Sequence, residues 1–211
     1  MNPPHLYAIE GLDGTGKSTL ATSLARELDA HLTCTPPAPL RPLRDSIEAG
    51  LNHDPVAVQV FYAATVLAVS AEIRPHLLAG RNVVVDRWWA STLAYAGMRG
   101  RSAALDALEP FIVPSEWTIF LDADDTCRRT RLVSRGMSAH DVPTLEPIHA
   151  ATLRAAFRSS LRHPVCGHSL WVDTSERSPD AVLGAVMRGL RGEERQASLF
   201  DGDQPTRHAL G

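Results

Sequence analysis

Short apolar runs alternate along this chain with longer segments whose apolar positions recur every three to four residues, the mixed signature of alternating strands and helices. Residues 6–10 (LYAIE) form a compact apolar strand that ends at a glycine-rich turn. Residues 18–28 then set Leu20, Ala21, Leu24, Ala25 and Leu28 on one face of a helix. His31–Cys34 is a weak second strand, followed by a proline-rich segment over 36–42. Pro55–Leu78 predicts a long helix with a wide apolar face, stopped near Gly80. Residues 82–86 (NVVVD), Trp117–Asp122 (WTIFLD) and 169–173 (SLWVD) are apolar runs with an acidic end, as in strands buried on both faces. Residues 180–190 supply a final helix. The alternation predicts an α/β fold, a parallel sheet with helices on both faces. Beyond Leu190 the sequence turns polar, so one domain over 1–191 and a disordered tail over 192–211 are expected.

Composition narrows the function classes. A chain of 211 residues, 44% of them hydrophobic, suffices for one well-buried domain and is short for two. A formal net charge of −3 predicts no strong pull toward nucleic acid or an anionic membrane. The first ten residues lack the basic and long apolar regions of a secretion signal. No window of about 20 residues is uniformly apolar, so no membrane span is expected. Cys34, Cys127 and Cys166 are far apart and fit neither a disulfide framework nor a zinc site, which points to a reducing cytoplasm. Of the 21 Lys and Arg residues, only Lys17 is a lysine. A chain that drifts to arginine keeps lysine where a forked guanidinium does not fit.

That lysine lies in GLDGTGKS, from Gly11 to Ser18, which fits the phosphate-loop pattern G-x-x-x-x-G-K-[ST] between a predicted strand and a predicted helix. Gly11, Gly14, Thr15 and Gly16 let successive backbone N–H groups turn toward one anion, and the helix that runs on through Thr19 adds its positive end. Lys17 can bridge the outer phosphates of ATP, and the Ser18 hydroxyl can ligate Mg²⁺. A chance glycine-rich turn is the bland alternative. Asp86, closing NVVVD, suits a carboxylate that reaches the metal from the end of a neighbouring strand. A helix cap is its alternative. Arg87 follows into the same crevice, where a guanidinium suits bidentate phosphate binding.

Four blocks in order, EGLDGTGKST, FYAATVLAVSAEIRPHLLAGRNVVVDRWWASTLAYAG, WTIFLDADDTCRRTRLVSRG and VDTS, resemble the thymidylate kinase family over residues 5–190. The resemblance implies a five-stranded P-loop sheet of order 2-3-1-4-5, a short lid near 134–147, ATP and Mg²⁺ as cofactors, and a homodimer. It gives Asp13 the place of the carboxylate that approaches the acceptor sugar's 3′-hydroxyl. Phe61 matches the aromatic that stacks on the acceptor base, Arg87 the arginine that grips the acceptor phosphate, and Tyr95 the ring that crowds the 2′ position. Residues 128–136 resemble the start of the lid. Arg128, Arg131 and Arg135 share one helical face there, a solvated basic face being the alternative. Gly14 stands where some relatives carry an arginine, so Arg131 and Arg135 are expected to serve the transferring phosphoryl group. Of Trp88 and Trp89, one is expected to pack and one to line the pocket.

The departures lie in base reading. TCTPPAP over 33–39 keeps only Pro36 of the usual motif, Thr65 stands at the base-reading arginine, and Ala96 replaces a polar residue after Tyr95. A site that loses such donors relaxes its selectivity. The expectation is a kinase moving the ATP γ-phosphoryl group to a deoxypyrimidine monophosphate, with thymidine monophosphate leading. The alternatives are a kinase for an unusual or modified nucleotide, free or in DNA, and a non-catalytic nucleotide-binding module. Finally, QASLF over 196–200 resembles the peptide by which bacterial replication and repair proteins dock on the DNA sliding clamp, with Gln196, Leu199 and Phe200 as contacts. Folding of Leu199 and Phe200 back onto the domain is the alternative.

Overall fold

The computed structural model describes residues 4–99, 104–138 and 140–192. The clamp-like motif and most of the tail lie outside the described residues.

Five strands, β1 (Leu6–Gly11), β2 (His31–Cys34), β3 (Val83–Asp86), β4 (Trp117–Asp122) and β5 (His168–Asp173), pair in parallel in the order β2-β3-β1-β4-β5. This is the expected order, and the strand and long-helix boundaries agree with the apolar runs to within a residue. Period-2 alternation divides the central strands β1, β3 and β4 between two buried faces. Tyr7, Ile9, Val84, Ile119 and Leu121 face α1 (Lys17–Glu27) and α8 (Pro179–Leu190), which return Leu20, Leu24, Val182 and Val186. Leu6, Ala8, Val83 and Val85 face the other way, against α3 (Pro55–Leu78) through Ala63, Val66, Val69 and Ile73. Each such aliphatic burial contributes about 1.5–3 kcal/mol before the entropy of ordering is subtracted.

Among the described residues α3 alone is long and apolar enough to cross a membrane by length and composition, and here it is a core helix. Its start is specified locally: Asp54 Oδ1 accepts from Val56 N at 3.1 Å and Ala57 N at 2.9 Å, and Pro55 occupies the first turn. It ends where Gly80 turns left-handed, at φ 80°.

Three helices are not marked by the sequence reading: α2 (Arg44–Gly50), α4 (Trp89–Met98) and α7 (Pro147–Ser160). Most of α4 is buried, so it has no polar stripe to give it a period. With α7 it forms a third core around Leu12 and Phe120. The lid region carries α5 (Asp125–Ser134) and one short turn, α6 (Val142–Leu145).

Candidate active site

The phosphate loop connects β1 to α1 at the carboxyl edge of the sheet. Gly11 and Gly14 hold φ 141° and 84°. A Cβ on Gly11 would stand 2.2 Å from the Leu121 carbonyl oxygen, and one on Gly14 would stand 2.8 Å from that of Arg128. The loop is therefore wedged between β4 and α5 and admits no side chain at either glycine. Lys17 is almost fully buried; its Nζ donates to the Leu12 carbonyl at 2.7 Å and lies 3.7 Å from Asp13 Oδ1. Burial, and then the nearby Arg87 charge, pull its pKa down to about 8 against the attraction of Asp13 and Asp86.

Ser18 and Asp86 meet as the sequence predicts. Ser18 Oγ donates to Asp86 Oδ2 at 2.6 Å, across 68 residues of chain. Asp86 Oδ1 is buried and has no partner among the described residues. A hydroxyl and a carboxylate in contact beside a phosphate loop, with one carboxylate oxygen left over, fit Mg²⁺. Arg41, from the proline-rich segment, reaches to 3.9 Å of Asp86 Oδ2. Nothing in that segment's pattern marks it as a site residue.

Arg87 has φ 71°, an uncommon conformation for a residue with a side chain, costing about 1–3 kcal/mol. Both flanks hold it there: its N–H donates to the Ile9 carbonyl at 2.9 Å and its carbonyl accepts from Thr35 Oγ1 at 2.7 Å. The turn aims the guanidinium at Asp13, with which it is ion-paired. Burial alone would raise the Asp13 pKa, but Arg87 and then Lys17 hold it down to about 2. The Tyr95 ring lies 5.5 Å from the Arg87 guanidinium carbon, and burial pushes its hydroxyl up to about 12.

Glu10 is the member that the sequence reading does not single out. Fully buried at the end of β1, its Oε1 accepts from Trp88 N at 2.9 Å and Ser91 N at 3.0 Å, and its Oε2 accepts from Ser91 Oγ. A carboxylate from another strand thus caps α4 at the point where Arg87 hands over to the helix. Its partners are 78 and 81 residues away, which no local pattern records.

Three expectations need correction. Arg128 does not face the cavity: it is fully buried, donating from Nε to the Asp13 carbonyl at 2.8 Å and from Nη2 to the Thr144 carbonyl at 2.8 Å. It is the innermost arginine of its helical face, and the loop covers it, so it braces loop against lid. Phe61 is half-buried and absent from the cavity wall, to which its neighbour Tyr62 contributes instead. Trp88 and Trp89 are both fully buried in the core beneath α3, and neither lines the pocket. Arg131 and Arg135 do line it. Arg131 Nη2 donates to the Thr174 carbonyl at 2.6 Å, and Arg135 Nη2 donates to Asp141 at 2.7 Å.

One cavity of about 730 Å³ joins the loop, Asp86, Arg87, Thr65, Tyr95 and the lid arginines, within the range of small-molecule sites. A glycine loop at a helix start, a lysine inside it and a hydroxyl–carboxylate pair beside it define a P-loop phosphotransferase.

The thymidylate kinase family model matches residues 9–160. A curated thymidylate kinase of Solidesulfovibrio magneticus is 31% identical over 198 residues, covering 84% of this chain and 94% of that protein. In fold, the thymidylate kinase of Ehrlichia chaffeensis superposes with a TM-score of 0.63 at 20% identity, over 90% of this chain and all of that one (100%). A deoxyadenosine kinase of M. mycoides, solved with dCMP and dCDP, also gives 0.63, at 16% identity over 89% and 99% of the two chains. The chain belongs to the thymidylate kinase family, and it is an ATP-dependent phosphotransferase.

Proposed function

We propose that this protein transfers the γ-phosphoryl group of ATP to a deoxypyrimidine nucleoside monophosphate, with thymidine monophosphate the leading acceptor. An acceptor phosphate oxygen bonds to the γ-phosphorus as the β–γ bridging bond breaks, giving a diphosphate and ADP. The observation that carries this reading is the continuous cavity from the phosphate loop to Arg87, Asp13 and Tyr95. Donor and acceptor phosphates would meet inside one enclosure, where positioning and charge neutralisation do the catalysis. Lys17 would neutralise the outer phosphates of ATP, Arg87 would hold the acceptor phosphate, and Arg131 and Arg135 would serve the group in flight. Asp13 would accept from the sugar 3′-hydroxyl beside Tyr95. Ser18 and Asp86 would hold Mg²⁺, whose charge offsets that of the phosphate oxygens.

A coupled assay of ADP release across deoxynucleoside monophosphates tests the reading. Turnover with thymidine monophosphate is expected, as is a loss of at least about a thousandfold in Lys17→Ala. ATP binding without turnover on any acceptor would leave a nucleotide-binding module instead. Homodimer formation, suggested by the family resemblance, and clamp docking through Gln196, Leu199 and Phe200, suggested by the sequence motif, belong to the same proposal.

A further inference from the structure

Resting on the acceptor site just proposed, the far wall of the cavity shows what kind of base it takes. From Arg87, the wall runs along α3 past Thr65 to Tyr62, and there three charged side chains converge. Arg44 Nε donates to the Tyr62 hydroxyl at 3.0 Å, and that hydroxyl donates to Glu48 Oε1 at 2.6 Å. The Arg99 guanidinium carbon, from the end of α4, stands 5.3 Å from the Tyr62 ring centre. Arg44, Glu48, Tyr62, Thr65 and Arg99 all line the cavity. Thr65 has no proton to offer a base, because its hydroxyl donates back to the Tyr62 carbonyl at 2.7 Å.

We propose that Glu48, aimed by Tyr62 and flanked by Arg44 and Arg99, reads an exocyclic amino group, so that the site accepts a cytosine-type deoxynucleoside monophosphate alongside thymidine monophosphate. The argument is one of donors and acceptors. An ionised carboxylate only accepts, and with Oε1 held by tyrosine its Oε2 is left, among the described residues, for a ligand N–H. Cytosine carries an amino group at C4, the group that carboxylates read on that base, whereas thymine carries a carbonyl oxygen there. A carboxylate facing that oxygen is unfavourable. The two guanidinia supply donors for the ring nitrogen and O2 of cytosine. Burial, and then the bond to Glu48, raise the Tyr62 pKa, so the tyrosine stays the donor. The single base-edge arginine that the family pattern places at position 65 is thus replaced by a set from three other positions, two of them on α2.

Calorimetric binding of dCMP and dTMP, measured on the whole protein without ATP, tests this independently of turnover. The wild type is expected to bind dCMP to within about tenfold of dTMP. Glu48→Gln should lower the dCMP-to-dTMP affinity ratio by about tenfold or more, the discrimination that one well-placed base contact gives. Tyr62→Phe, which keeps the acid but frees it, should lower the same ratio by a smaller factor. A wild type that binds dTMP about a hundredfold more tightly than dCMP overturns the proposal, as does a ratio that neither variant moves. Binding of neither nucleotide overturns it together with the acceptor site. Selective dCMP binding without ADP release in the coupled assay upholds this inference while the kinase reading falls.

Discussion

Lys17 ties its own ionisation to phosphate affinity. In the ligand-free protein its pKa is about 8, against an ordinary 10.5, because burial and Arg87 oppose the charge. Between those two values the unfolded chain holds a proton that the folded chain has released. Stability therefore rises with pH over that window, while the cation that binds phosphate is lost. ATP affinity is expected to be flat below pH 8 and to fall by up to about tenfold per unit above it. Fluorescence titration from pH 7 to 9.5 (on the order of two units around the transition) reads this directly. A flat wild-type profile, matching that of Lys17→Met, would mean that the lysine stays charged throughout. Gly14 gives a second test at this scale. With φ 84° and a Cβ position 2.8 Å from the Arg128 carbonyl, Gly14→Ala should cost about 2–4 kcal/mol in chemical denaturation. An arginine at this position thus has no room unless α5 moves. Lys17, Ser18 and the loop glycines are legible in the sequence because one contiguous motif carries them. Glu10 and Arg41 are not, because Glu10 meets the start of α4 and Arg41 meets the end of β3, both far along the chain.

At the scale of elements, α4 depends on β1 for its start. Its cap residue, Trp88, makes no side-chain capping bond, and the Glu10 carboxylate takes the first amides instead. Glu10→Ala leaves two buried N–H groups and the Ser91 hydroxyl without that acceptor. The expected loss is about 2–5 kcal/mol, read from urea denaturation midpoints. Because Arg87 immediately precedes this start, KM for the acceptor should rise more than KM for ATP. Equal rises in both would place Glu10 in general stability and not in positioning. The same dependence explains which elements the sequence discloses. β3 and β4 are continuous apolar runs, and α3 carries its own cap and stop, so each is specified locally. Helix α4 is buried on most of its surface and capped from another strand, and α2 is short with no buried residue, so neither prints a period.

At the scale of the whole molecule, the expected sheet order sets the fully buried β1 at the centre with the phosphate loop at its end, and its neighbours on either side supply Asp86 and the wall beside α5. What the fold does not fix is the acceptor, since a deoxyadenosine kinase of M. mycoides shares it. The tail poses a separate question, about where such an activity would be used. Leu199 and Phe200 are the only adjacent large apolar pair beyond residue 192, in a stretch otherwise rich in Glu, Asp, Gln and Gly. A leucine–phenylalanine pair can fill an apolar pocket as a two-residue hot spot, while Gln196 supplies amide hydrogen bonds. Ordering a peptide on binding offsets part of that gain, so affinity for the host's DNA sliding clamp should be about micromolar. A labelled peptide of residues 193–205, titrated with the purified clamp, is expected to saturate in that range, and its Leu199→Ala, Phe200→Ala counterpart should bind at least about tenfold more weakly. Equal binding by the two peptides, or none by either at high micromolar clamp, would assign the pair to the protein's own surface and remove any link to DNA synthesis.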